Sequence, residues 1–238
     1  MNGTLYLLPN FLSEDASFEE SMPAILCDIV GKLDGLIAES PKEGRRFLKR
    51  MQRSPHEVPQ QSLNEHTTNE DVEALLEPIK KGEVWGYVTD AGVPCLADPG
   101  ASLVFAARKA LIPVQTVVGP SSLLLAMILS GLPCQKFFFH GYLPKDPTLL
   151  GDALKKLEEH SLKEGVTELW IETPYRNQKM FDRLLKELRP STWLCIASQL
   201  TSKDEFVNTQ TIAAWKKGTP PNLDNRPTVY LLRATKEV

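Results

Sequence analysis

The chain has 238 residues, with 27 Lys and Arg against 30 Asp and Glu, a net charge of −3. A hydrophobic fraction of 42% and a charged fraction of 24% suit a globular protein of one large or two small domains and exclude a disordered or fibrous chain. With that charge balance no global basic field advertises nucleic acid, although Arg45, Arg46, Lys49, Arg50 and Arg53 form a local patch.

Residues 4–8 are a short apolar run closed by Pro9-Asn10, a buried first strand. Residues 11–21 are polar and acidic and predict a long loop. Residues 23–33 carry apolar side chains at helical spacing, and 36–38 form a second strand. Residues 43–51 predict a basic amphipathic helix with Phe47, Leu48 and Met51 inward. Residues 58–63 are a third strand weakened by Pro59. Asn69-Glu70-Asp71 starts a helix over 72–81, stopped by Gly82. Residues 84–89 are the fourth strand, 101–110 a helix and 114–118 the fifth strand, closed by Gly119-Pro120. Strands alternating with helices predict a parallel α/β sheet. The pattern then restarts, so the expected domains are 1–118 and 119–238.

Ser121 is a candidate N-cap for an apolar helix over 123–130. Strands follow at 137–139, 168–172, 193–197, 206–209 and 227–232, with helices at 148–163, 179–188 and 211–216. The close spacing of the later strands predicts a mixed sheet. Trp85, Trp170, Trp193 and Trp215 lie in or beside these elements and are expected in the core. Cys27, Cys95, Cys134 and Cys195 are isolated, which supports neither a zinc site nor a disulfide framework and predicts reduced, buried thiols. The N-terminus has no signal-peptide core, and the longest apolar run, 123–129, falls far short of the ~20 residues of a membrane helix. The expected setting is cytoplasmic, with no membrane partner.

Chemistry concentrates at residues 88–100, Val-Thr-Asp-Ala-Gly-Val-Pro-Cys-Leu-Ala-Asp-Pro-Gly, between a strand and a helix. Ligands of open α/β sheets bind beyond the carboxyl ends of the strands, where such a loop sits. Gly92 and Gly100 permit close backbone approach, Pro94 and Pro99 stiffen the loop, and Asp90 and Asp98 can accept from a ribose diol or an ammonium group. The dinucleotide fingerprint, the P-loop, GxSxG and HExxH are all absent, so Rossmann dehydrogenase, nucleotide hydrolase, catalytic-serine and zinc-protease chemistry lack support. His56, His66, His140 and His160 are far apart in sequence and are expected to be structural or at the surface.

The set Asp90-Ala91-Gly92-Val93-Pro94, Asp98-Pro99-Gly100, Val118-Gly119-Pro120-Ser121-Ser122, Gly131-Leu132-Pro133 and Phe139-His140-Gly141-Tyr142-Leu143-Pro144 resembles the tetrapyrrole methylase superfamily. Asn64-Glu65-His66 and Glu172-Thr173-Pro174-Tyr175-Arg176 extend the likeness to its rRNA small-subunit methyltransferase I branch. The resemblance implies a two-domain α/β class III methyltransferase fold, with a parallel N-terminal sheet and a mixed C-terminal one. It implies S-adenosylmethionine (SAM) bound in the cleft between the domains, S-adenosylhomocysteine as product, no metal, and a homodimer. The implied cofactor contacts are Pro9, Asp90, Ala91, Gly92, Val93, Pro94, Leu96, Asp98, Ser121 and Ser122, with Glu172, Leu200, Pro227 and Thr228 from the second domain.

Two loops depart from the ribosomal pattern. Thr-Pro-Ile-Gly-Asn after the first strand is here Pro9-Asn10-Phe11-Leu12-Ser13, and Glu-Asp-Thr-Arg after the second is Glu39-Ser40-Pro41-Lys42. The expected reaction is in-line methyl transfer to a ribose 2′-hydroxyl of small-subunit rRNA, with Glu172 as base and Arg176 as a phosphate or substrate clamp, or the two as a structural ion pair. A methylase of a tetrapyrrole or another small molecule, and a SAM-binding protein without transferase activity, are the alternatives.

Overall fold

Short apolar strands joined through helices set the architecture. In the computed structural model, which describes residues 3–235, the chain divides into two units, Met1–Ser121 and Ser122–Val238. The first unit keeps Gly119 and Pro120, because Gly119 lies so close to the Pro9 ring that a Cβ there would sit 2.0 Å from Pro9 Cβ.

The first unit runs β1 (Thr4–Leu8), α1 (Phe18–Ser21), α2 (Ile25–Gly31), β2 (Gly35–Ala38), α3 (Pro41–Arg50), β3 (Gln60–Ser62), α4 (Asn69–Leu75), α5 (Glu77–Lys80), β4 (Val84–Val88), α6 (Gly100–Lys109) and β5 (Val114–Thr116). The strands pair in parallel in the order β3-β2-β4-β1-β5. Alternate residues feed two cores. One holds Leu8, Leu26, Leu36, Phe47 and Leu48; the other holds Leu5, Ile37, Ile79, Trp85 and Leu103. A parallel sheet needs both faces covered in this way.

Two expectations for this unit are corrected. Residues 11–21 are not all loop, since Ser17 Oγ accepts from Glu20 N (3.2 Å) and caps α1, which is too short to show periodicity. The single helix expected over 72–81 is two, α4 and α5. Pro78 sits in the first turn of α5, where a missing N–H costs nothing.

The second unit runs α7 (Ser122–Ser130), β6 (Phe137–Tyr142), α8 (Pro147–Glu164), β7 (Thr167–Glu172), a 3-10 turn (Pro174–Arg176), α9 (Asn177–Glu187), β8 (Trp193–Ser198), β9 (Phe206–Thr211), α10 (Ile212–Trp215) and β10 (Thr228–Arg233). Its sheet, β6-β7-β10-β8-β9, is mixed: β6 runs parallel to β7, and β10 is antiparallel to both neighbours. Asp146 caps α8 and Gly165, at φ 64°, ends it. Trp170 stacks on Tyr230 at 5.4 Å within a core that includes Leu154, Phe181 and Leu194. Trp193 departs from expectation: it opens β8 and is 40% exposed. The cysteines are free as expected, but Cys27 is exposed and only Cys195 is fully buried. Among the described residues no helix is long and apolar enough to cross a membrane.

Candidate functional site

In the first unit the loop after β4 is held from within. Asp98 Oδ1 accepts from Tyr87 Oη (2.8 Å) and Gly100 N (2.7 Å), and Oδ2 accepts from Leu96 N (3.1 Å). Asp98 therefore commits both oxygens to loop structure, although its residue type also suited ligand binding. Cys95 and Ala97 take positive φ (71° and 65°), and Gly92 does so at 74°. Burial, then the Asp98 charge, pushes the Cys95 thiol up to about 12, which makes it unreactive at neutral pH.

Asn10, at the end of β1, ties this loop to the first strand. Its Nδ2 donates to Thr89 O (2.9 Å) and Asp90 O (3.1 Å), and its Oδ1 accepts from Phe11 N (2.9 Å). Its backbone exchanges bonds with Gly92: Asn10 N donates to Gly92 O (2.8 Å) and Gly92 N to Asn10 O (3.1 Å). At the end of β2, Glu39 Oε2 accepts from Thr89 Oγ1 (2.6 Å) and Asp90 N (3.3 Å). Burial, then the charges of Glu39 and Glu43, raise the Asp90 carboxyl to about 6. Asp90 is exposed as a residue. Pro9, Ala91–Val93 and Gly119 thus gather at the carboxyl ends of the parallel strands, where such sheets bind ligands. Pro94 is buried beneath the loop and Leu96 is 52% exposed on it. Ser121 closes this unit and is buried; Ser122 opens the second.

The second unit brings Glu172, Ser198 and Thr228 side by side through the pairing of β7, β10 and β8. Thr228 Oγ1 lies 3.0 Å from Ser198 Oγ. Glu172 is buried. Its Oε1 accepts from Thr173 N (2.7 Å) and Thr173 Oγ1 (3.1 Å), and its Oε2 lies 3.2 Å from Arg176 Nη2. The ion pair is therefore present, but among the described residues Oε2 accepts no hydrogen bond. Leu200 follows β8 between Gln199 and Thr201, both at positive φ (56° and 67°), and Gln199 N donates to Pro227 O (2.9 Å).

The basic patch on α3 is largely used internally. Arg46 pairs with Glu14 (2.9 Å) and Glu43 (3.1 Å), Arg50 donates to Ser13 O and Ala16 O, and Arg53 donates to Val30 O. Arg45 and Lys49 remain exposed. His66 is at the surface, but His140 and His160 have a common partner missed in the sequence. His140 Nε2 and His160 Nδ1 each lie 2.6 Å from a different oxygen of the fully buried Glu168. Asn10, Glu39 and Ser198 were missed as well. For the first two, the available signal was their position immediately after a strand. Among the described residues no three His, Cys, Asp or Glu are grouped to hold a metal ion.

Two α/β units, one on a parallel and one on a mixed sheet, define the class III methylase fold. The same fold is seen in the methyltransferase CobJ (TM-score 0.65, 15% identity, 100% of this chain and 97% of that one). It recurs in uroporphyrin-III-C-methyltransferase from Thermus thermophilus (TM-score 0.56, 17% identity, 98% and 93%). The profile of the Tetrapyrrole (Corrin/Porphyrin) Methylases matches residues 26–215, and the chain belongs to that family. It is similar to proteins named Ribosomal RNA small subunit methyltransferase I. The Xylella fastidiosa protein is 37% identical over 150 residues, 62% of this chain and 54% of the relative. The Thermotoga maritima protein is 32% identical over 158 residues, 66% and 64%. The chain spans roughly half to two thirds of the length of these relatives.

Proposed function

We propose that the chain is a SAM-dependent methyltransferase that acts on a ribose 2′-hydroxyl of small-subunit ribosomal RNA. The observation that carries this reading is the 37% identity, over 150 residues, to a protein named for methylation of that RNA. The residues fit methyl transfer on two counts. Glu172 Oε2 is a buried acceptor with no hydrogen-bond donor, suited to the hydroxyl group of the methyl acceptor. Among the described residues the exposed Ala91 offers a backbone N–H that no acceptor takes, suited to an electron-rich ligand atom.

When bound, the cofactor supplies a methyl group already activated on a sulfonium. What remains for the chain is to orient the acceptor and exclude water, effects worth up to ~7–11 kcal/mol. In the first unit, Pro9, Ala91, Gly92, Val93 and Ser121 would hold the cofactor. Glu172 Oε2 would accept the proton of the attacking hydroxyl, and Arg176, 3.2 Å away, would orient that carboxylate.

A second reading, a methylase of a tetrapyrrole or another small molecule, is favoured by Glu39, Glu43 and Asp90. Glu39 and Asp90 stand at the strand ends and Glu43 in the first turn of α3, where their carboxylates repel phosphate, and Arg46 and Arg50 of α3 are engaged elsewhere. The test is label transfer from methyl-labelled SAM to an extract of cells lacking the gene, followed by separation of RNA from small molecules. Label in small-subunit rRNA supports the first reading and label in a low-mass fraction the second. SAM binding without any transfer would sink both in favour of a non-catalytic binder. The family likeness also supports a cytoplasmic homodimer, whose mass light scattering would check.

A further inference from the structure

Every polar atom of Asn10 that can bond to the β4 loop does so, and the consequence falls on the opposite side of that loop. A trans peptide is planar, with its C=O and N–H pointing in opposite directions. The carbonyls of Thr89 and Asp90 turn toward Asn10 Nδ2, and the carbonyl of Gly92 turns toward Asn10 N. The amides of the same three peptides, those of Asp90, Ala91 and Val93, must therefore point away from Asn10. Glu39 Oε2 takes the first, at 3.3 Å. Among the described residues no acceptor takes the N–H of Ala91 or of Val93. Gly92 N–H points the other way and is bonded to Asn10 O at 3.1 Å.

Asn10 is 6% exposed, so water cannot replace its bonds without opening the loop. The side-chain amide suits this place. Two carbonyls need two donors on one atom while Phe11 N needs an acceptor, and only Asn or Gln offers both; Asn is the shorter.

We infer that Asn10 is a positioning residue, which turns the Ala91 and Val93 amides outward as a pair of donors for electron-rich atoms of a bound ligand. This inference rests on the proposed cofactor for the identity of that ligand, but not for the orientation of the amides. Outward backbone N–H groups without an internal acceptor bind lone pairs and anions. Beside the acidic Glu39 and Asp90, neutral acceptors such as ring nitrogens or hydroxyl oxygens fit better than a full anion.

The test uses the whole chain labelled with 15N, with S-adenosylhomocysteine as probe. In the wild type the Ala91 and Val93 amide resonances should shift on titration, while Gly92 is protected from hydrogen exchange before any ligand is added. Asn10→Asp removes both donors and sets a charge against two carbonyls. It should weaken binding about tenfold or more, abolish the two ligand-induced shifts and expose Gly92 to exchange. Asn10→Thr, with one donor restored, should fall between, and it carries the test if Asn10→Asp does not fold. Affinity within twofold of wild type, with both shifts and Gly92 protection retained, overturns the assignment. Should the wild type bind no S-adenosylhomocysteine, the cofactor reading falls. Exchange at Gly92 in Asn10→Thr then decides the role of Asn10: faster exchange upholds it and unchanged exchange overturns it.

Discussion

Replacing Arg50 by Met should loosen residues 11–17 and destabilise the first unit by about 2 kcal/mol. Arg50 Nη1 donates to Ser13 O (3.2 Å) and Nη2 to Ala16 O (2.5 Å), and its Cζ stands 3.2 Å over the Phe11 ring. The side chain is half-buried, so each charged hydrogen bond is taken as only ~1 kcal/mol, below the usual range, and the cation–π contact as another ~1. Against that total of ~3 stands relief of the strain of holding a cation there. Burial and the neighbouring Arg46 lower the Arg50 pKa, so removing the charge offsets part of the loss. In a unit of this size a net loss of ~2 kcal/mol lowers the melting temperature by about 6–8 °C. Calorimetry measures the melt, and cleavage at the exposed Glu14 by a Glu-specific protease reports the loop. Arg50→Lys should recover less than half, because an ammonium cannot serve two carbonyls and stack flat on a ring. A melt and a cleavage rate both indistinguishable from wild type would refute the reasoning.

Three further outcomes follow from the same geometry. Gly119→Ala places a Cβ 2.0 Å from Pro9 Cβ and 2.5 Å from its Cγ, so the chain must separate there, and urea denaturation should show a loss of about 2–3 kcal/mol. Asp90 has a folded pKa of about 6, above its ordinary value. The folded state therefore binds more protons, and the penalty grows as pH rises from about 4 through 6. After discounting for solvent, Asp90→Asn should gain about 1 kcal/mol at pH 7.5 and nothing near pH 4, a difference that denaturation at the two pH values reads directly. Glu172→Gln keeps an acceptor for Thr173 N but removes the base. Turnover should fall far more than S-adenosylhomocysteine affinity, and an equal loss of both would assign Glu172 to cofactor binding instead.

The strands were legible where burial on both faces leaves a continuous apolar run, as in β1, β4 and β7. The Gly- and Pro-rich loop after β4 was equally legible as a place where backbone approaches a ligand. What escaped depends on contacts between distant positions. Pro78 can break a helix or begin one, and only its packing made it the start of α5. Trp193 belongs to its strand as expected but stands at the exposed first position. Glu168 lies between the polar Thr167 and the apolar Leu169 without local signal. Its partners are 28 residues before it and 8 before it, on β6 and α8. The same holds for Asn10, whose residue type after a strand suggests an ordinary turn, and whose partners lie 79 and 80 residues away.

The two departures from the ribosomal pattern, residues 9–13 and 39–42, look independent in sequence because a helix and a strand separate them. In the structure they form one assembly. Ser40 caps α3 with Pro41 in its first turn, and α3 carries Arg46 to Glu14 and Arg50 to the Phe11 ring and the carbonyls of Ser13 and Ala16. Glu39, at the head of the same connection, reaches Thr89 and Asp90, which Asn10 holds from the other side. Exchange of residues 9–13 alone would leave the Arg50 guanidinium and the carbonyls of Thr89 and Asp90 without their present partners, which costs more than the pairs contribute. Residues 9–13 and 39–50 are therefore best exchanged together. A chimera bearing only the Thr-Pro-Ile-Gly-Asn segment should be less stable than one bearing both ribosomal segments with the ribosomal α3 that continues the second, and thermal melts of the two would show it. If the single-segment chimera is the more stable, the coupling argued here between α3 and the loop after β1 is wrong.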